Sequence, residues 1–180
     1  VSSTNFIDVS SSDGDVLTGF ALAQDYALIF KRRSIHMLTH DKERNPVISP
    51  LQSGFGAVSD RAIVQMSGQV FFLSEEGIHS FDGSRVNTLS RQMERSFRLL
   101  PKAWLKESFA WGDPVSRRVC FAIPSGPGEL PTTLLTVQLD LPGVEALPLL
   151  SYDLRLRSAL PYKDRNLVGY NSIRRWWNRL

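Results

Sequence analysis

The sequence holds one cysteine, three histidines and no apolar run near the roughly 18 to 20 residues needed to cross a bilayer. Each scarcity removes a class of protein. A lone cysteine excludes an internal disulfide, and Cys120 sits in the apolar run Val119 to Ile123, which predicts a buried thiol and not a reactive one. The longest apolar stretches are broken by proline or charge, so no spanning helix is expected. Nucleotide and hydrolase signatures are missing too. "GFGAVS", Gly54 to Ser59, imitates part of a dinucleotide fingerprint but lacks its third glycine and lies between strand-rich segments. Neither a P-loop nor a G-x-S-x-G elbow occurs. Asp13-Gly14-Asp15, with Asp8 upstream, lacks the twelve-residue spacing and closing Glu of a calcium loop, so a turn is expected there. No catalytic residue, metal or cofactor is expected. With Val1 first and no basic-then-apolar leader, the chain is expected to be a fragment or a processed product.

What is present is ordinary globular material: 180 residues, 42% hydrophobic and 22% charged, enough for one sizeable core or two small ones. The net charge of +3 is uneven, because Tyr152 to Leu180 carries seven Arg or Lys against two Asp and the remainder 14 against 16. That basic end is read as a solvated tail or rim before it is read as a phosphate site.

The main signal is an internal repeat. "LIFKRRSIHML", Leu28 to Leu38, lies over "FFLSEEGIHSF", Phe71 to Phe81, at an offset of 43 residues, and the apolar positions coincide. Both copies have an apolar strand, a polar four-residue connection and a second strand, the form of a β-hairpin. His36 and His79 fall on equivalent positions, which makes them strand residues in similar environments and not a pair of metal ligands; His40 has no partner at metal spacing. Upstream of each hairpin stands another strand, "VLTGFALAQD" and "DRAIVQMSGQ", with turns at Asp25-Tyr26 and Ser67-Gly68. A looser third copy has strands at Phe109 to Trp111, Val119 to Ile123 and Leu134 to Leu139, with turns at Asp113-Pro114 and Pro124 to Pro131.

A period of about 40 to 50 residues with up to four antiparallel strands is that of propeller blades. The expected fold is all-β, a partial β-propeller of antiparallel blade-like sheets with a short inserted helix. Its expected divisions are two blade-like repeats in 1–89, a helical insertion in 90–107, a third unit in 108–152 and a basic, Trp-containing segment in 153–180. The insertion follows from Met93, Phe97 and Leu100 at helical spacing, with Ser90 as N-cap, a stop at Pro101, and a further turn from Pro101 to Glu107. Two or three blades make an incomplete propeller, to be completed by more chain or by neighbours.

Contact surfaces are the remaining candidates. Lys31, Arg32 and Arg33 form the first hairpin turn and Glu75 and Glu76 the second, so consecutive blades or adjacent subunits can pair them; otherwise they are solvated tips. Arg174, Arg175, Trp176 and Trp177 near the C-terminus read as a packing anchor at an interface, where Trp and Arg are enriched.

Four stretches in order, "LIFKRRSIHML", the turn Gly56 to Ser59, "FFLSEEGIHSFDG" with "VNTLS", and "WGDPVSRRVCFAIPSG" with "LLTVQLD", resemble the β-propeller-like tail nozzle proteins of short-tailed bacteriophages, also called packaged-DNA stabilisation proteins. The resemblance covers most of Asp13 to Asp140. It implies a virion structural protein, assembled in the host cytoplasm as a homo-oligomeric ring, commonly a hexamer. It also implies portal or adaptor and tail fibre or spike proteins as partners, and a channel through which DNA passes without sequence-specific binding. The alternative from the residues is a receptor- or carbohydrate-binding propeller, which needs aromatics such as Trp104, Trp111, Trp176 and Trp177 gathered on one exposed face. A glycosidase would need two carboxylates within about 5 to 10 Å, whereas acids such as Asp13, Asp82 and Asp113 sit at turns.

Overall fold

Short apolar runs divided by Gly, Asp, Ser and Pro turns give an all-β chain with one short helix. The computed structural model describes residues 9, 12–23, 25–124, 126, 131 and 133–139, and beyond these the backbone of three further strands. The first sheet is an antiparallel meander of β1 (Leu17–Leu22), β2 (Ala27–Lys31), β3 (Ser34–His40) and β4 (Pro46–Ser53). The second repeats it with β5 (Ile63–Met66), β6 (Gln69–Leu73), β7 (Ile78–Phe81) and β8 (Val86–Thr88). The third comprises β9 (Phe109–Asp113), β10 (Arg118–Ile123), β11 (Thr133–Gln138) and β12 (Ala146–Leu149). A two-stranded pair follows, β13 (Leu156–Tyr162) with β14 (Arg165–Tyr170), inside the segment read from sequence only as basic.

The repeat extends to the hydrogen-bond register. Leu28, Ile29 and Phe30 pair with Met37, His36 and Ile35, and the residues 43 positions on, Phe71, Phe72 and Leu73, pair with Ser80, His79 and Ile78. Register of this kind is held by which residues must face inward, since a slip of one would turn every side chain over. The turns follow local chemistry. Ser67 and Gly68 both have positive φ (52° and 76°) between the paired Met66 and Gln69, as a two-residue hairpin of matched twist requires. At the next turn the Asp82 carboxylate accepts the N–H groups of Ser84 and Arg85, each at 2.9 Å, which with the Ser84 hydroxyl holds it far below the usual carboxylate range.

Strand β6 is buried on both faces, and each face belongs to a different core. Phe71 and Leu73, with Ile78 of β7, pack with Val119, Phe121, Ile123, Leu135 and Val137 of the third sheet. Val70, Phe72 and Phe81 pack with Leu28, Phe30 and Ile35 of the first sheet, where the rings of Phe30 and Phe72 are 5.0 Å apart. The central sheet is thus sandwiched, and each fully buried Phe contributes on the order of 1.5 to 3 kcal/mol. The first strands of successive sheets lie in contact in order, β1 with β5, β5 with β9, and β9 with β13. Cys120 is buried on the other side of the third sheet with Phe109, Trp111, Ala122 and Leu134, and burial pushes its thiol up to about 12.

Between the second and third sheets run a 3-10 turn (Arg91–Met93), the helix α1 (Glu94–Leu99) and a second 3-10 turn (Trp104–Glu107). Phe97 and Leu105 bury into the core between those sheets. The helix ends as expected at the residue before Pro101, where Leu100 turns extended (φ −73°, ψ 129°). Ser90 does not cap it. Its hydroxyl oxygen accepts the Ile78 N–H at 2.9 Å, so the residue that reads locally as a cap is spent on β7. Strand β4 was hidden by Pro46 and Pro50, which an edge strand tolerates because one side of its backbone needs no partner.

Candidate functional site

The tips of the first two hairpins and the inserted helix converge. Arg32 and Glu75 occupy the same position in their repeats, and the Arg32 Nε–H donates to Glu75 Oε1 at 2.7 Å. The other Glu75 oxygen lies 3.0 Å from Nζ of Lys102, on the connection after α1. One carboxylate therefore ties together the first sheet, the second sheet and the insertion. Burial alone would raise the Glu75 carboxyl, but the hydrogen bonds from Lys102 and Arg32 outweigh it and hold the group below its ordinary value.

The other tip residues divide. Lys31, 3% exposed, has its Nζ 2.9 Å from Asp13 Oδ2, and the Arg33 N–H and Ser34 hydroxyl donate to Asp15. The two carboxylates of the Asp13-Gly14-Asp15 turn are thus engaged in closing the first hairpin. Among the described residues no cluster of three potential metal ligands forms. The Arg33 and Glu76 side chains are exposed at the tips, the solvated arrangement. Arg174, Arg175, Trp176 and Trp177 lie outside the described residues.

Beneath the second tip is a polar triad. His79 stacks on Phe55 with ring centroids 4.1 Å apart, its Nε2 lies 2.7 Å from Ser74 Oγ, and its Nδ1 lies 3.2 Å from Thr88 Oγ1. The Ser–His distance is that of a nucleophile and its base, but the hydroxyl is engaged in the turn. Ser74 is fully buried, and its oxygen accepts the N–H groups of Glu76 and Gly77 at 2.9 and 3.1 Å. The hydroxyl shapes the turn.

A cleft of about 480 Å³ opens between this tip and the insertion, lined by Glu75, Glu76 and Glu94 together with Arg91, Arg98 and Lys102. Three acids against three bases give no field of one sign, which suits contact with a mixed-charge protein face better than capture of a polyanion. Among the described residues the tryptophans form no exposed aromatic platform. Trp111 is 4% exposed, in the cluster with Phe109 and Cys120, and so cannot join a sugar-binding face, while Trp104 is half-buried.

Equivalent positions in the two hairpin repeats made the Arg32–Glu75 pairing thinkable from sequence; Lys102, Asp13 and Asp15 lie outside the repeated hairpins, so no repeat position pointed to their partners. Glu75→Gln is expected to lower stability by about 1 kcal/mol, given that Arg32 and Lys102 remain partly in water. In thermal melts this appears as a drop of about 2 to 4 °C that shrinks at high salt. An unchanged melting temperature at low ionic strength would show the carboxylate does not tie the elements together. A scan against family models finds no match, and a search of curated proteins finds no similar sequence.

Proposed function

We propose that the chain is a structural, non-enzymatic part of the tail nozzle of a short-tailed phage, built as a partial β-propeller and acting as a ring-forming subunit. The ring extends or closes the DNA exit channel, is commonly a hexamer in the proteins this sequence resembles, and sits in the virion against portal or adaptor and fibre or spike proteins. One observation carries the propeller reading: the first strands of the three four-stranded meanders and of the following two-stranded pair adjoin in chain order from β1 through β5 and β9 to β13, as innermost blade strands do around a central axis. The sealed Ser74 and the balanced charge of the tip cleft favour a scaffold over an enzyme. A channel for DNA must not grip phosphate, since each neutralised phosphate adds a salt-dependent hold.

Light scattering and native mass spectrometry of the purified protein test this. The expected result is a closed ring of identical subunits whose melting temperature does not move with added oligosaccharides. A single chain stabilised by a sugar would replace the nozzle with the ligand-binding propeller.

A further inference from the structure

Each junction between full sheets uses the same pair of faces. The first sheet turns Leu28, Phe30 and Ile35 toward the second, and the second turns Phe71, Leu73 and Ile78, each 43 positions on, toward the third. On its opposite face the second sheet receives the first through Val70, Phe72, His79 and Phe81, all at most 1% exposed. The residues 43 positions before these are Ala27, Ile29, His36 and Leu38. They lie on the outer face of the first sheet, where strand pairing sets Phe20 beside Ile29, Leu22 beside Ala27 and Ile48 beside Leu38.

This outer face has the composition of a junction, and among the described residues its rim is open although its centre is buried. Phe20 and Leu22 are 58% and 72% exposed, Ala27, Leu38 and Ile48 are half-buried, Ile29 and His36 at the centre are buried, and none of the six apolar residues joins the clusters formed by the described residues. We propose that it is a docking face for a second copy of this chain, which stacks a sheet there in the sense in which the first sheet covers the second. The argument is continuity with the junctions inside the chain: the same repeat positions, the same aliphatic and aromatic chemistry and the same direction of stacking. That direction is head to tail, since β13 begins a further sheet beside β9 at the other end of the order. A face that accepts a different face of an identical copy builds rings or open chains, whereas a two-fold pair would set this face against itself. The inference rests on the ring-forming reading and names the surface through which it acts.

Native mass spectrometry of the wild type is compared with the double variant Phe20→Glu, Leu22→Lys. Both residues are exposed, so the variant is expected to keep its circular dichroism and melting temperature while its assembly falls to single chains. A Leu22→Cys variant adds one accessible thiol to a chain whose only cysteine is buried. In a head-to-tail assembly that thiol meets another part of the neighbour and forms no disulfide with its own counterpart. If the wild type forms a closed ring and the double variant forms the same ring, the face is overturned and the nozzle reading stands. If the wild type forms an open or smaller assembly that the double variant abolishes, the face stands and the closed ring falls. A wild type that stays a single chain at the highest attainable concentration overturns both, and rapid disulfide dimerisation of the Leu22→Cys variant through its introduced thiol overturns the head-to-tail sense.

Discussion

Gly56→Ala lowers the stability of the protein by about 3 kcal/mol or more, a large part of the 5 to 15 kcal/mol that holds a typical domain folded. The loop after β4 doubles back on the first hairpin, where the N–H groups of Gly56 and Ala57 donate to the carbonyls of Arg32 and Lys31, each at 3.1 Å. The next residue, Val58, donates to Leu73 of the second sheet at 2.9 Å, so three consecutive residues join the two sheets. A methyl group on Gly56 would fall onto the carbonyl oxygens of Lys31 and Ser34. Both are backbone atoms of the hairpin, which no rotamer change can move aside. Gly54 is the control: its φ of +100° strains any side chain, but no atom lies within 4 Å of its added methyl group. Gly54→Ala should therefore cost only the 1 to 2 kcal/mol or so of an unfavourable backbone conformation. Urea unfolding of the two variants decides the matter. If Gly56→Ala unfolds at the wild-type midpoint, or Gly54→Ala proves the worse, the close approach does not fix the junction between the sheets.

The same loop marks the limit of what the sequence discloses. Apolar runs and two-residue turns act over a few residues, so the hairpins at Leu28 to Leu38 and Phe71 to Phe81, their 43-residue offset and the Ser67-Gly68 turn were all legible. Gly56 was legible as a turn residue, but its partners Lys31 and Ser34 lie over 20 positions upstream, where no local pattern points to them. Ser90 misled for the converse reason. It has the right chemistry and position for an N-cap, yet the Ile78 N–H, brought close only when β7 and the insertion pack together, takes its oxygen first. At the hairpin tips the pattern gave charge without geometry. Three adjacent positions are charged in the first turn and two in the second, but Arg32 and Glu75 meet across the sheets while Arg33 and Glu76 are left in water, a difference set by how the sheets stack.

Acid should unfold this protein through His79 before it does so through its carboxylates. Burial pushes the imidazole down to about 3, from an ordinary value near 6.5. The hydrogen-bond network explains why the neutral ring is preferred. The Ser74 oxygen already accepts two N–H groups, so it has little capacity to receive a third, and its one hydroxyl proton is shared between the Gly77 carbonyl at 3.2 Å and Nε2 at 2.7 Å; with Nε2 as acceptor, the neutral ring carries its proton on Nδ1, facing Thr88. A protonated ring would turn a donor toward an oxygen without a free lone pair, between the faces of Phe55 and Phe72. Between pH 6.5 and about 3 the unfolded chain carries a proton on this residue that the folded chain refuses. Stability is therefore full above pH 6.5 and falls by about 1.4 kcal/mol per pH unit below it. Asp13, Asp41, Glu75 and Asp82 are all held below their ordinary values, so their losses begin near pH 5 and deepen under more acid conditions. The window from about pH 6 to 5 thus isolates the histidine. His79→Phe keeps the stacking but leaves Ser74 and Thr88 without their partner, and should cost about 1 to 3 kcal/mol at pH 7. Its unfolding free energy should then hold nearly level across that window while the wild type falls toward it. Two parallel curves from about pH 7 to 5 would mean that the buried ring takes up its proton as readily as an exposed one, and that the Ser74–His79–Thr88 network does not enforce the neutral state.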